Sequence, residues 1–277
     1  MMIVQLQPSE FARVLPLYRA AQKHFPLISA VIQNRQRGQV FCDFREKPRS
    51  ALVVTNFGFT LLVGAEQNKL FDAGLAHLFE KEEMLKPGYL LWYSPPPRWQ
   101  KALDTLVPDV VRRRERVRFE FHKESALWLE ESTLPPEGFE VKDLCLDLIA
   151  KTEKLGVEID SRFWGSANDF VAHGLGVCIM KDGEMVSLCY AAALVDRLAE
   201  VDVVTMPEFR SHGLGNLVTQ QFIRECLSRG FAPSWDCFGY NIGSMKLADK
   251  LGFKEVRRYP FYSFNVPITW PQTEVYV

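Results

Sequence analysis

The segment from Val203 to Asn216 carries the residues with the clearest capacity for chemistry. It reads Val-Val-Thr-Met-Pro-Glu-Phe-Arg-Ser-His-Gly-Leu-Gly-Asn, so an apolar strand leads through a turn with two glycines into an amphipathic helix. The N–H groups at a helix N-terminus attract anions, and glycine lets phosphate oxygens approach the backbone. Arg210 can add a charge-assisted contact. The pattern predicts a cradle for a pyrophosphate, the alternative being that Gly213 and Gly215 only shape the turn.

Two carboxylates precede this cradle on the same strand. Because side chains alternate along a strand, Glu200 and Asp202 share one face with Val204. Such a carboxylate could take a proton from a substrate amine, or it could be a solvated strand residue that at most attracts a cationic amine. Asp236, on the next predicted strand, is a third acidic candidate, with a structural hydrogen-bond acceptor as the alternative.

The two glycines also form part of a recognisable motif. Their spacing is neither that of the P-loop, because no Lys-Ser/Thr pair follows, nor that of the three-glycine Rossmann fingerprint. It resembles the Arg/Gln-x-x-Gly-x-Gly/Ala signature of the GNAT superfamily of acyl-CoA-dependent N-acyltransferases. The residues that carry this resemblance are Pro207, Arg210, Gly213 and Gly215, followed by matches to the superfamily's Asn-x-x-Ala/Ser and Leu-Gly-Phe elements at Asn241, Ser244, Leu251, Gly252 and Phe253.

A narrower resemblance is to one branch of the superfamily, the branch that contains the zwittermicin A resistance protein. It depends on Trp235-Asp-Cys237 with the residues that follow, on Phe163-Trp164, and on Gly38-x-Val-Phe-x-Asp43. Members of that branch carry a preceding domain of about the size of residues 1–130. The superfamily resemblance itself covers roughly the range from Phe139 to Phe264.

The resemblance implies acetyl-CoA as cofactor and a set of contacts with it. The strand would pair its main chain with the pantetheine arm at a splay, the place where two neighbouring strands diverge, and the turn would hold the pyrophosphate. Asn241 would touch the arm, which is compatible with capping a helix, and His212 would act through its backbone. The implied contacts are Val203, Val204, Thr205, Arg210, Ser211, His212, Gly213, Leu214, Gly215, Asn216, Asn241 and Ser244.

The reaction implied by the resemblance is direct attack of an amine on the acyl thioester. A backbone N–H near Val204 or Thr205 would stabilise the developing oxyanion. Glu200 or Asp202 would be the base, and strict equivalence of Glu200 to the base of other members requires a β-bulge.

One departure from the family pattern concerns the general acid. Many members carry a tyrosine that protonates the leaving thiolate, but Ala248 stands in its place. Water or the hydroxyl of Tyr240, Ser244 or Tyr262 would have to substitute, or the thiolate leaves without an acid.

The apolar periodicity and the turn residues predict an α/β (α+β) fold in two domains, residues 1–134 and 135–277. The boundary is the stretch Glu130–Gly138, which contains two prolines and a glycine. We expect the second domain to have a GNAT-type mixed, mostly antiparallel, splayed sheet flanked by helices. The first is an α/β domain without a chemical motif, and its similar order of elements suggests a degenerate GNAT-like copy.

The same patterns predict the individual elements. Helices are expected near Ser9 and at Asn68–Glu83, Pro97–Val107, Leu144–Leu155, Asp169–Val171, Leu214–Arg229 and Ser244–Leu251. Strands are expected at Val40–Asp43, Ala51–Val54, Phe57–Val63, Tyr89–Tyr93, Val117–His122, Phe139–Val141, Gly176–Met180, Met185–Val195, Glu200–Thr205, Ser234–Phe238 and Phe253–Phe264. Asp182-Gly183 predicts a tight hairpin turn.

Charge argues against polyanionic partners. The 33 basic and 34 acidic residues give a net charge of -1, with 19 basic and 15 acidic residues in 1–134 against 14 and 19 in 135–277. The run of arginines between Arg112 and Arg118 is interpreted as a solvated strand edge, because no aromatic residues are interleaved for base stacking. We therefore expect neither nucleic acid nor membrane as partner.

Cysteine spacing and the N-terminal sequence bear on metal sites, disulfides and the cellular compartment. The six cysteines lack Cys-x-x-Cys spacing, which predicts no metal site and no disulfide framework. No signal peptide or apolar run of membrane-spanning length is found, so we expect a cytoplasmic protein.

The leading hypothesis is an acetyl-CoA-dependent N-acetyltransferase that acts on a small-molecule amine. The alternatives are a non-catalytic acyl-CoA-binding or sensor protein, in which Ala248 reflects lost chemistry, and a protein N-acetyltransferase. The acidic second half favours a cationic acceptor. The sequence leaves a homodimer open.

Overall fold

The computed structural model describes residues 3–22, 24–81, 85–106, 109–130 and 134–269. Its helices are α1 Leu15–Ala20, α2 Pro26–Ile32, α3 Lys69–Phe79, α4 Pro97–Asp104, α5 Leu146–Ile149, α6 Ala167–His173, α7 Leu214–Ser228 and α8 Ile242–Lys250. Its strands are β1 Val4–Gln5, β2 Gly38–Cys42, β3 Ser50–Thr55, β4 Phe59–Gly64, β5 Tyr89–Tyr93, β6 Val111–Phe121, β7 Phe139–Asp143, β8 Gly176–Lys181, β9 Glu184–Val195, β10 Leu198–Thr205, β11 Ala232–Phe238 and β12 Phe253–Asn265.

The chain packs as two compact units whose limits differ from the expected boundary. The first, which we call the N-terminal unit, contains residues 1–116 and 259–277, and the second, the insert unit, contains residues 117–258. Both divisions fall inside strands, β6 and β12, which continue from one unit into the other. The stretch 130–138, of which 131–133 lie outside the described residues, belongs to the insert unit, where it leads to the edge strand β7.

The N-terminal unit has strands in the order β1-β2-β3-β4-β5-β12. Neighbours are antiparallel except β4 and β5, which are parallel with Phe59 opposite Leu91 and Thr60 opposite Trp92. Helices α3 and α4 contribute side chains to a core cluster that includes Trp92 on β5. Two aromatic side chains outside this cluster, Phe59 of β4 and Tyr93 of β5, contact each other's rings.

In the insert unit the order is β6-β11-β10-β9-β8-β7. The pairs from β7 to β10 are antiparallel, whereas β10 and β11 are parallel. Helix α7 packs on this sheet, and its apolar face joins Ala199, Val201 and Val203 of β10 in one core cluster. The fold prediction of a mixed, mostly antiparallel sheet flanked by helices is thereby confirmed.

The splay lies between β10 and β11. Their parallel register covers only Leu198–Glu200 opposite Ala232–Ser234, after which β10 continues to Thr205 and β11 to Phe238. On its other edge β10 stays paired with β9 along its whole length. That pairing shifts by one residue between Glu200 and Val201, which leaves Ala192 as an extra residue on β9.

Local patterns placed most elements correctly. The Asp182-Gly183 hairpin is confirmed, because both residues have positive φ, +50° and +79°, as a type I′ turn requires. The expected helix Leu144–Leu155 is instead the single-turn α5 followed by a 3-10 turn that ends at Gly156. The predicted helix ends at Glu83 and Val107 lie outside the described residues.

The interpretation of the arginine run as a solvated strand edge was wrong for its second half. Arg112 and Arg113 are exposed, but Arg116 and Arg118 retain only 9% and 7% of their accessible surface. The reason is that β6 is flanked by β11 in the insert unit and is not an edge strand there, and residues 116–119 are buried on both faces. A buried arginine requires a partner, and Arg118 has one in the candidate site.

Candidate active site

The N-terminus of α7 is open to an anion. Gly213 is the residue before the helix, with φ +80°, and among the described residues no side chain caps it. The first turn carries no acidic residue, and a Cβ built on Gly213 would meet no atom within 4 Å. The first N–H groups of a helix have no intrahelical acceptor, so those of this turn are available to a ligand. These features fit a phosphate or pyrophosphate.

Side chains of the preceding turn stabilise its shape. Arg210 Nε donates to the carbonyl oxygen of Thr205 at 3.1 Å, and His212 Nδ1 donates to that of Arg210 at 2.8 Å. Ser211 has a left-handed φ of +65°. The His212 ring therefore supports the turn. Arg210 is exposed, and its bond to Thr205 uses only Nε, so its two terminal nitrogens remain for other partners or for solvent.

The main chain of β10 beyond the splay has one unpaired edge. On the β9 side, the Met206 N–H donates to Val186 O at 3.0 Å, and on the β11 side, Arg197 O accepts from the Ala232 N–H at 2.8 Å. Backbone groups of successive strand residues alternate in direction. The N–H groups of Val203 and Thr205 consequently face the side from which β11 has diverged. Of the two predicted oxyanion donors, Thr205 has this orientation and Val204 does not.

The first turn of α8 holds two of the predicted contacts. Asn241 Oδ1 accepts from the Ser244 N–H at 3.1 Å, so Asn241 does cap the helix. Ser244 Oγ accepts from Trp235 Nε1 at 3.1 Å, which ties the helix to β11. Both side chains thus have structural partners.

The two predicted carboxylates of β10 have different surroundings. Glu200 is 6% exposed and accepts from Arg118 Nη1 at 3.2 and 3.3 Å and from Ser234 Oγ at 2.6 Å. Arg118 also donates to Ser234 Oγ and lies 3.8 Å from Asp236 Oδ2. Because Glu200 and Ser234 are the last parallel pair, this buried network fastens the sheet where the splay begins.

Asp202 lies two residues further along the strand, past the splay. Its side chain shares the face of Glu200, opposite α7, since Val201 and Val203 belong to the core cluster on the α7 side. Asp202 Oδ2 accepts from the Tyr190 hydroxyl at 2.6 Å across the β9–β10 pair. Asp202 is half-buried, whereas Glu200 is buried.

The candidate proton donors are placed as follows. Ala248 is fully buried in the core cluster of the insert unit. Tyr240 is 64% exposed and stacks on Phe238. Tyr262 belongs to the N-terminal unit, where its hydroxyl donates to Asp104 at 2.8 Å, and burial together with this bond raises the pKa of Tyr262.

Sequence reasoning missed Arg118, Ser234 and Tyr190. A signal for Arg118 exists, since it lies between Val117 and Phe119 in the C-terminal half of β6, where the opposite face is apolar. For Tyr190 the signal is weaker, because its pairing with Asp202 depends on the one-residue shift between β9 and β10.

An open helix N-terminus beside a splayed strand is the arrangement expected of an acyl-CoA-dependent acyltransferase. The comparison with protein families agrees: the model of the GNAT acetyltransferase family matches residues 18–262. The chain belongs to this family and is an N-acetyltransferase.

Named relatives and solved structures are consistent with this. The chain is 27% identical over 235 residues to the uncharacterized N-acetyltransferase YdfB of Bacillus subtilis (strain 168), covering 85% of this chain and 88% of that protein. A GCN5-related N-acetyltransferase-like protein from Streptococcus suis 89/1591 superimposes with a TM-score of 0.70 at 23% identity, over 94% of this chain and all of that one. A tandem GNAT protein from the clavulanic acid biosynthesis pathway gives a TM-score of 0.67 at 13% identity, over 96% and 98% of the two chains. These structural likenesses concern the fold.

Across the part of the chain that the structure describes, no helix combines the length and the apolar composition needed to cross a bilayer.

Proposed function

We propose that the protein transfers the acetyl group of acetyl-CoA to an amine of a small molecule. The observation that carries this proposal is the organisation of β10 beyond Glu200. One edge of the strand offers unpaired main-chain groups that lead to the α7 cradle, and one face offers Asp202. An acyl donor bound along the edge and an amine bound at the face would meet at the same few residues.

The resemblance to the zwittermicin A resistance branch supports a small-molecule acceptor. The acidic residues on this face of the sheet support a cationic one, because Asp202 is accompanied by Glu200 and Asp236, with Arg118 between the latter two. We also propose the cytoplasm as compartment, on the sequence argument given above.

The donor would bind through the chain's own groups in the following way. The first N–H groups of α7 and the side chain of Arg210 would hold the pyrophosphate, and the Val203 and Thr205 main chain would pair with the pantetheine arm. Acetyl-CoA supplies an activated acyl group as a thioester. The Thr205 N–H is oriented to stabilise negative charge on the thioester oxygen.

Asp202 is the base in this proposal. It takes the proton that the amine loses as its nitrogen forms a bond to the acyl carbon, the carbon–sulfur bond breaks, and CoA departs as thiolate. The thiolate then takes a proton from water, since Ala248 offers no hydroxyl and is buried. Glu200 is not assigned this role, because Arg118 and Ser234 occupy its oxygens.

Isothermal titration with acetyl-CoA, followed by a CoA-release assay over a panel of small amines and peptides, tests the proposal. We expect acetyl-CoA binding and CoA release with at least one cationic small amine. Binding without release on any acceptor would instead support the acyl-CoA sensor. Faster release with peptide N-termini or lysines would support a protein acetyltransferase, and absence of binding would contradict all three.

A further inference from the structure

The hydrogen bond between Tyr190 and Asp202 fixes one oxygen of the carboxylate. The two residues are direct partners across β9 and β10, and the hydroxyl donates to Oδ2 at 2.6 Å. Asp202 Oδ1 is the oxygen that this bond does not use. A carboxylate held at one oxygen presents the other in a fixed direction, which is what transfer of a proton from a bound amine requires.

Tyr190 is itself held by a π-helical turn, Ile159–Trp164, an uncommon conformation that is frequent at functional sites. Phe163 of this turn contacts the Tyr190 ring, with centroids 5.9 Å apart. Trp164 Nε1 donates to the carbonyl oxygen of Ala191 at 2.9 Å, next to the extra residue of β9. The tyrosine is 1% exposed, so its ring has little freedom to move.

The charges around the pair keep Tyr190 in its donor form. Burial, the negative charge of Asp202 and the bond to it raise the pKa of Tyr190 well above its usual value, with Arg162 of the π-helical turn acting in the opposite direction and Cys189 adding to the rise. Glu200 on the same strand faces Arg118 of β6 and Asp236 of β11 lies near that arginine. The hydroxyl proton therefore stays on Tyr190 across the neutral range, available to Asp202.

We propose that Tyr190 is the positioning residue of the reaction: it orients Asp202, so that the carboxylate accepts the proton of the acceptor amine. This inference rests on the proposed function. Tyr190 itself neither gains nor loses a proton over the cycle, since the proton passes from the amine nitrogen to Asp202 and then to solvent.

The test is the variant Tyr190→Phe, which removes one oxygen and keeps the buried ring. We expect kcat to fall about 10-fold, and the acid limb of the pH profile of kcat/KM to move to higher pH, because the lost hydrogen bond favoured the charged carboxylate. The affinity for acetyl-CoA should stay within twofold of the wild type, which also reports that the variant folds. The KM for the amine should change less than kcat.

A matched control is Tyr262→Phe, which removes another buried tyrosine hydroxyl that donates to an aspartate, Asp104, in the N-terminal unit. Its kcat and pH profile should equal those of the wild type. If the wild type is active and Tyr190→Phe keeps both its kcat and its acid limb, the positioning role is wrong while the proposed function stands. If the wild type releases no CoA with any amine, the proposed function fails, and this inference fails with it.

Discussion

The two units share one order of strands and helices but carry different functional groups. In the N-terminal unit β4 is followed by a turn, α3, β5, a second turn and α4, and in the insert unit β10 is followed by a turn, α7, β11, a second turn and α8. In both, the two strands are parallel and pair over only two or three residues. The repeated path supports the expectation that the N-terminal part is a degenerate copy of the catalytic fold.

The first difference lies at the helix that follows the first strand. The N-terminus of α3 is closed: Asn68 Oδ1 accepts from the Phe71 N–H at 3.2 Å, and the first turn carries Asp72. Asp72 accepts from Trp99 Nε1 at 2.8 Å and from Nε and Nη2 of Arg98, which fastens α3 to α4. The N-terminus of α7 has neither feature.

The second difference lies on the sheet face opposite α3 and α4 in the N-terminal unit and opposite α7 in the insert unit. In the N-terminal unit this face is covered by α2, and the aromatic rings of Phe25, Phe59, Tyr93 and Phe261 pack together there with the Arg116 guanidinium over two of them. In the insert unit the corresponding face carries the charged and hydroxyl groups around Glu200 and Asp202.

Room is not lacking in the N-terminal unit. An open cleft of about 1290 Å³ is lined by its β4–α3 turn and the first turns of α3 and α4. The comparison predicts that fold and room alone do not suffice for this chemistry, and that an open helix N-terminus and the Asp202 carboxylate are needed as well.

Asp202→Asn should remove the proposed base, which the N-terminal unit lacks on the corresponding face. We expect kcat to fall about 10²- to 10³-fold, because an amide cannot accept the amine's proton. Steady-state kinetics and acetyl-CoA titration check this, and the acetyl-CoA affinity should be unchanged. A kcat within a few-fold of the wild type would remove this carboxylate from the mechanism.

Gly213→Trp should block the N-terminus of α7, as the Asn68 cap and Asp72 block the N-terminus of α3. A side chain at φ +80° strains the backbone and occupies the space over the helix N-terminus, so we expect acetyl-CoA binding to weaken about 100-fold. The matched control is Gln67→Trp on the exposed β4–α3 turn, which should bind acetyl-CoA like the wild type. Calorimetry should also find one site per chain, and two sites would contradict the closed state of α3.

Glu200→Gln should show whether Glu200 stabilises the fold or takes part in the reaction. It leaves Arg118 buried beside a neutral partner, for which we expect about 2 kcal/mol of lost stability in urea unfolding. The kcat of the folded variant should fall far less than that of Asp202→Asn. A fall as large as in Asp202→Asn would instead assign Glu200 to the reaction.

Asp72→Asn should loosen the closed helix of the N-terminal unit. We expect about 1 kcal/mol of lost stability, because the amide keeps an oxygen for one of the donors that Asp72 now serves. The affinity for acetyl-CoA and the kcat should both match the wild type. A gain of a second acetyl-CoA site would show that the Arg98–Asp72 pair alone closes this copy.

The sequence predicted local features well and distant contacts poorly. The apolar spacing of α7 predicted this helix, and Gly213 and Gly215 predicted the turn that opens it, because these signals lie within a few residues of one another. Helix α2 was missed, since all seven of its residues are buried and it shows no amphipathic stripe. The Arg118–Glu200 pair joins residues 82 positions apart, so no local pattern could reveal it. The same limit applies to the division into units, which depends on how β6 and β12 continue.

The course of β12 has a consequence for synthesis on the ribosome. The insert unit is one continuous stretch, residues 117–258, which can fold as soon as it has emerged. The N-terminal unit is made first but is completed last, because β5 pairs with β4 on one edge and finds its second neighbour only in Phe261–Asn265. A stop codon shortly before Tyr259 would therefore leave residues 117–258 intact. It would remove the strand segment with which β5 of the N-terminal unit pairs.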